Sequence, residues 1–141
     1  MVERITETKI IRSSYFGELE IIPEHIFYFE NGILGFEVLN NFILITDDDI
    51  TPFKWLMSVE EPEIMFPIIS PFYIDAEYDP GKEIDIEKQI LFSIVTLNDG
   101  NGNITANLKA PVVLNPIDNV GEQIILSFER YSVNQIVSQQ D

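Results

Sequence analysis

The residues best suited to bind or react sit in one short turn. Asp99-Gly100-Asn101-Gly102-Asn103 places side-chain oxygens at alternate positions, as the opening of a calcium loop does. The register then fails. The sixth position needs glycine and is Ile104, and the twelfth needs glutamate and is Ala110. The turn is therefore read as a hairpin tip, because Asn, Asp and Gly tolerate positive φ. His25 is the only histidine, and no serine stands in a Gly-x-Ser-x-Gly elbow, so a Ser–His–Asp relay has no support. A site built on several histidines is excluded by the same count, and the absence of cysteine excludes thiolate chemistry. No metal or other cofactor is implied.

Two acidic runs remain, Asp47-Asp48-Asp49 and Glu60-Glu61-Pro62-Glu63. No fixed ligand spacing joins them, and acids clustered at strand ends read as a solvated rim. Carboxylate pairs for glycoside hydrolysis cannot be singled out, and 141 residues leave little room for a sugar cleft. Asn103-Ile104-Thr105 fits a glycosylation pattern, but no secretory leader gives it consequence. Gly32 and Gly35 lack the third glycine and the strand–helix context of a nucleotide loop. They read as a turn that packs Ile33, Leu34 and Phe36 inward.

The elements that must position these residues are strands. Leu91–Leu97 is an almost unbroken apolar run, suited to a strand buried on both faces or crossing a barrel wall. Ile104–Leu108 returns with strict alternation, and Pro111 marks a break before Val112-Val113-Leu114. Further strands are expected at Thr6–Ile11, Tyr15–Ile22, His25–Phe29, Phe42–Thr46, Phe53–Val59, Ile64–Ile69, Phe72–Tyr78, Gln123–Phe128 and Tyr131–Val137. Asp85–Gln89 reads as one helical turn with Asp85 as its N-cap. Gly121 is expected in the left-handed position of a tight turn. About nine or ten short strands with turn punctuation and at most one short helix predict a single all-β domain, an antiparallel barrel or sandwich, over residues 1–141. Residues 1–5 and 138–141 read as frayed.

Composition narrows the function classes. Twenty-four acidic against eight basic residues give a net charge of −16, which repels nucleic acid and anionic membrane and attracts basic partners. Solubility alone is the other account of that charge. No apolar stretch reaches the length of a membrane span, and the N-terminus lacks the pattern of a secretion signal. A monomeric cytoplasmic protein that binds other proteins fits best. The rivals are a small acidic hydrolase and a generic acidic β interaction module.

Four segments, in order, resemble one family. They are Tyr15–Ile21, Asn31–Glu37, Thr105–Asn115 and Gly121–Leu126. Together they look like the bacterial flagellar assembly factor FliW, over about residues 15–133 of the chain, with Asn107-Leu108-Lys109-Ala110-Pro111-Val112-Val113-Leu114-Asn115 as the most specific block. Leu34 departs from the proline that the family often has between the two glycines. The resemblance implies a non-enzymatic cytoplasmic regulator that binds flagellin. It also implies binding to CsrA, a translational repressor, with relief of repression of flagellin translation.

Packed flagellin termini are amphipathic helices, so a partner should offer an apolar groove with a polar rim. The candidate contact residues are Ile33, Leu34 and Phe36, together with Phe53 and Trp55 beside Asp47, Asp48 and Asp49. Trp55 is weighed as core before surface. Asn107 and Asn115 are expected to hydrogen-bond neighbouring backbone and so to serve the scaffold.

Overall fold

The computed structural model describes residues 3–139. β1 (Lys9–Ser13) and β2 (Gly17–Ile21) form an antiparallel hairpin, in register from Ser13↔Gly17 to Lys9↔Ile21. β3 (Ile26–Tyr28), β4 (Asn41–Ile45), β5 (Lys54–Ser58), β6 (Met65–Ile69) and β7 (Ile90–Thr96) follow as successive antiparallel neighbours. β8 (Asn103–Ala106) pairs with one end of β7, and β9 (Val112–Asn115) with the other. β10 (Val120–Gln123) pairs with β9 and then with β3, so β3–β7, β9 and β10 close into a seven-stranded barrel. That last pairing is parallel and rests on one register pair, Val120↔Tyr28. β11 (Gln135–Gln139) lies outside the barrel on β8.

Alternation explains which side chains fill the barrel. Phe42, Leu56, Ile68, Phe92, Val112 and Leu114 point inward and pack with Phe29, Ile33 and Leu39. The outward residues are also apolar, because the wall is covered from outside. Ile43 and Met57 lie under the β1–β2 hairpin, against Ile11, Phe16 and Leu19. Leu91 and Val113 lie under Tyr78, Ile84, Leu126 and Tyr131. Burial on both faces is why Leu91–Val95 reads as part of a continuous apolar run, although Leu97, beyond the end of β7, is exposed. Pro67 sits in β6 beyond the part paired with β7, which begins at Ile68, so its missing N–H breaks no ladder there.

The all-β barrel is as expected, but several local expectations are not met. Phe72–Tyr78 is no strand. Ser70 caps the Phe72 N–H at 3.3 Å, and Pro71–Tyr73 turns into a 3-10 helix. Two more 3-10 turns stand at Pro23–His25 and Asp48–Ile50. Asp85–Gln89 is the single turn expected: the Gln89 N–H donates to Asp85 O at 2.9 Å, and Asp85 Oδ1 caps it by accepting from the Glu87 N–H at 3.0 Å. Gln123–Phe128 leaves the ladder after Gln123. Its Ile124 and Leu126 N–H groups bond instead to Pro111 O and Lys109 O, at the break between β8 and β9.

Gly121 is not left-handed. It lies within β10, and Asn119 takes the positive φ of +54°. Gly121 is glycine for another reason: a Cβ there would collide with the Phe29 ring and with Leu114. Residues 3–5, expected to fray, are tied down. Arg4 Nη2 donates to Asp118 O at 2.6 Å and to Asn119 O at 2.8 Å. Ile5 N–H donates to Asn41 Oδ1 at 3.2 Å, and Asn41 Nδ2 to Glu3 O at 3.1 Å. At the other end Ser138 and Gln139 belong to β11, and residues 1, 2, 140 and 141 lie outside the described residues.

Candidate functional site

The expected contact residues divide between two places. Ile33-Leu34-Gly35-Phe36 is a tight reversal in which the Phe36 N–H donates to Ile33 O at 2.6 Å. Gly35 takes φ +87°, and Gly32 packs so closely that a Cβ would stand 2.5 Å from Phe36 O. Ile33 is buried in the barrel, and Phe36 sits edge-on to Phe66 with ring centroids 5.0 Å apart. These two side chains serve the core, because the reversal turns them to the barrel interior. Leu34 does the opposite of the inward packing expected of it, since the same reversal throws its side chain out to 54% exposure. Its N–H donates to Gln123 Oε1 at 3.0 Å, and Gln123 Nε2 donates on to Ala110 O at 3.0 Å. A hollow of about 190 Å³ opens beside it, walled by Leu34, Phe66, Ile94 and Val133 and edged by Asn107 and Gln123. Val133 is also exposed and was not singled out from the sequence.

The second place is the tip of the β1–β2 hairpin. Ser13 Oγ accepts from the Tyr15 and Phe16 N–H groups, both at 3.1 Å, and shapes the turn. Ser14 donates its N–H to Glu63 Oε1 at 2.9 Å and its hydroxyl to Glu63 Oε2, which pins the tip to the β5–β6 loop. Those bonds, the hydroxyl first, hold the Glu63 carboxyl below its usual range. Tyr15 then stands 5.6 Å from Trp55, ring centre to ring centre. Trp55 is half-buried on the outer wall opposite Ile45, and its Nε1–H is buried without a partner among the described residues. Tyr15, Phe16, Ile45 and Asp47–Asp49 bound an open hollow of about 630 Å³. Asp47 Oδ1 caps the turn by accepting from the Asp49 N–H at 3.0 Å, which leaves Asp48 and Asp49 to solvent. So Trp55 and the three aspartates share one side of the molecule. Phe53 does not join them; it packs half-buried against the patch formed by Ile69, Val95 and Ala106.

His25 is exposed on a 3-10 turn. No cluster of three metal-ligating side chains exists among the described residues. In the turn after β7 the oxygens of Asp99 are taken by the turn itself. Oδ1 accepts from the Asn101 N–H at 2.8 Å and the Asn103 N–H at 3.2 Å, and Oδ2 accepts from Asn103 Nδ2 at 3.2 Å. The Asn101 N–H above all keeps this carboxyl below its ordinary range. Glu60, read as solvated rim, proves structural: it accepts from the backbone of buried Asn40 and Asn41. The adjacent Asn40-Asn41 pair ahead of an apolar strand was the available signal.

The model of the FliW protein family matches residues 9–137. The chain is 39% identical over 133 residues to the flagellar assembly factor FliW of Thermoanaerobacter pseudethanolicus, covering 87% of this chain and 89% of that one. It is 40% identical over 136 residues to that of Caldicellulosiruptor saccharolyticus, covering 90% and 89%. A crystal structure of a flagellar assembly factor FliW superposes with a TM-score of 0.82 at 31% identity, covering 94% of this chain and 99% of that chain.

Proposed function

The chain belongs to the FliW family of flagellar assembly factors, and from that premise we propose that it acts in the bacterial cytoplasm by binding proteins, without catalysis. Its partners in this reading are flagellin and the translational repressor CsrA. Flagellin occupies it until export draws flagellin away, and the freed protein then captures CsrA and lifts repression of flagellin translation. The observation that carries the reading is the family match across residues 9–137.

Two physical features support it. The hollow beside Leu34 and Val133 has apolar walls and an amide edge, which suits one apolar side chain of an amphipathic helix. The net charge of −16 suits a partner whose own surface is basic enough to bind RNA. Exposed Tyr15, Asp48 and Asp49 are the surface assigned to that partner.

Co-elution of the purified protein with flagellin and with CsrA, followed by a CsrA-repressed flagellin reporter, tests the proposal. Both complexes should form, and the protein should restore reporter translation. Recovery of neither complex overturns it. Electrostatic steering predicts that the association rate with CsrA falls by about tenfold or more between low and high salt. A salt-independent rate removes that part of the reading.

A further inference from the structure

Two Asn-Gly dipeptides occur in the chain, Asn31-Gly32 and Asn101-Gly102. Asparagine is thermolabile, most of all before glycine, because a glycine nitrogen with no Cβ beside it can reach the preceding side-chain carbonyl carbon. The fold treats the two steps differently. Gly32 is buried at φ +64°, and its N–H donates to Phe29 O at 3.1 Å. The Phe36 and Glu37 backbone packs against its Cα, with Phe36 O 2.5 Å from where a Cβ would stand. That nitrogen is occupied and cannot move. Gly102 is open: nothing lies within 4 Å of a Cβ built on it, and its N–H has only a long 3.4 Å contact to Asn98 Oδ1. Asn101 is exposed, and its side-chain amide makes no hydrogen bond among the described residues.

We propose that Asn101 is a site of spontaneous, age-dependent covalent modification, closing to a succinimide with Gly102 and opening to isoaspartate or aspartate, while Asn31 is shielded by the fold. The Gly102 nitrogen attacks Asn101 Cγ. The bond from Cγ to the side-chain nitrogen breaks, and ammonia leaves with the proton given up by the Gly102 amide. Water then opens one of the two imide bonds. Opening at the main-chain carbonyl gives isoaspartate, and opening at the side-chain carbonyl gives aspartate. No oxidant or reductant is required.

Neighbouring steps are protected by features of their own. Gly100 N–H is held by Asn98 Oδ1 at 2.9 Å, and the bonds to Asn101 and Asn103 keep Asp99 a carboxylate, a poor electrophile. Asn115 precedes Pro116, which has no N–H to react. Asn119 precedes the β-branched Val120, already in the ladder. Each event at Asn101 adds one negative charge to the β7–β8 tip. Isoaspartate also inserts a methylene into the backbone there, which displaces the Asn101 N–H from Asp99 Oδ1.

The test is ageing of the folded chain in mildly alkaline buffer made with heavy-oxygen water, followed by peptide mapping. A parallel sample is aged in denaturant. Isoaspartate is read with the isoaspartyl carboxyl methyltransferase and S-adenosylmethionine. In the folded protein Asn101 should convert faster than Asn31 by more than about tenfold, since Asn31 reacts only from locally open states. The product should carry one heavy oxygen and be mainly isoaspartate. In denaturant the two rates should converge. Gly102→Ala should suppress conversion at position 101; the new Cβ meets no neighbour, but the φ of +82° strains alanine, so the thermal transition of that variant is measured beside it. Asn101→Gln, at a position whose φ is not positive and with Gly102 left in place, should suppress it too. Equal rates at Asn31 and Asn101 in the folded protein, or conversion undiminished in Gly102→Ala, overturns the proposal.

Discussion

Glu60 holds Asn41 at three points. Its carboxylate accepts from the Asn41 backbone N–H at 2.9 and 3.0 Å and from Asn41 Nδ2 at 2.8 Å. The Asn40 N–H joins at 2.9 Å, and Asn40 Nδ2 continues to Phe29 O at 2.7 Å. Both asparagines are fully buried. One acidic side chain thus fixes the start of β4, the end of β3 and, through Asn41, the N-terminal segment.

Glu60→Ala strands two buried backbone N–H groups. Chemical denaturation should show a loss of about 3 kcal/mol. Glu60→Gln keeps one acceptor oxygen and should lose about half as much. A loss no larger than that of Glu61→Ala, one residue away on the exposed rim, would deny Glu60 this role.

Asn107 Oδ1 accepts from the Lys109 N–H at 3.1 Å and the Ala110 N–H at 2.9 Å, bridging the break between β8 and β9. Asn107→Ala should cost about 1–3 kcal/mol. Asn107→Asp keeps the acceptor and should cost less. Thermal unfolding of the two variants side by side decides the point.

Gly121→Ala drives a methyl group into the Phe29 ring and Leu114. Because the ring fills the barrel and cannot yield freely, stability should fall by about 1–3 kcal/mol. Phe29→Leu combined with Gly121→Ala should recover part of the loss in a double-mutant cycle.

Burial, with the neighbouring Tyr131, pushes the Tyr78 phenol well above its ordinary value of 10.0. The hydroxyl donates to Leu108 O at 2.6 Å. The unfolded chain ionises first, so the stability from this group is complete below pH 10.0 and is lost as pH rises beyond it. Tyr78→Phe should therefore be less stable near neutrality by about 1–2 kcal/mol and show a shallower decline in alkali.

Trp55→Phe deletes a buried N–H that has no partner among the described residues and keeps an aromatic ring against Tyr15. Its stability should change by less than about 1 kcal/mol, whereas Trp55→Ala should cost about 2–3 kcal/mol. Tyr15→Ala should leave the thermal transition within a few degrees while weakening CsrA binding. Unchanged binding would remove this face from the partner surface.

The sequence made the barrel wall legible because an apolar run such as Leu91–Val95 marks a strand covered on both faces. Asn107 was legible for a similar reason: it stands next to a proline break where local backbone needs an acceptor. What was not legible depends on neighbours distant in sequence. Ile33 and Phe36 turn to the barrel interior while Leu34 turns out, because one reversal points them to different sides. Glu60 is structural and Asp48 is not, although both sit in acidic runs, because only Glu60 faces buried amides. Gln123–Phe128 has the side-chain pattern of a strand, yet the backbone beside it is the Asn107–Pro111 break, so no ladder forms.

The wall closes on one parallel contact, Val120↔Tyr28, between an early strand and a late one. Every other seam of the barrel joins antiparallel neighbours. Such a long-range contact forms only after both strands exist and the chain between them has settled. On a translating ribosome the barrel stays an open sheet until β10 has emerged. The wall is therefore a closed surface only once β10 has joined β3, however early the other strands have paired.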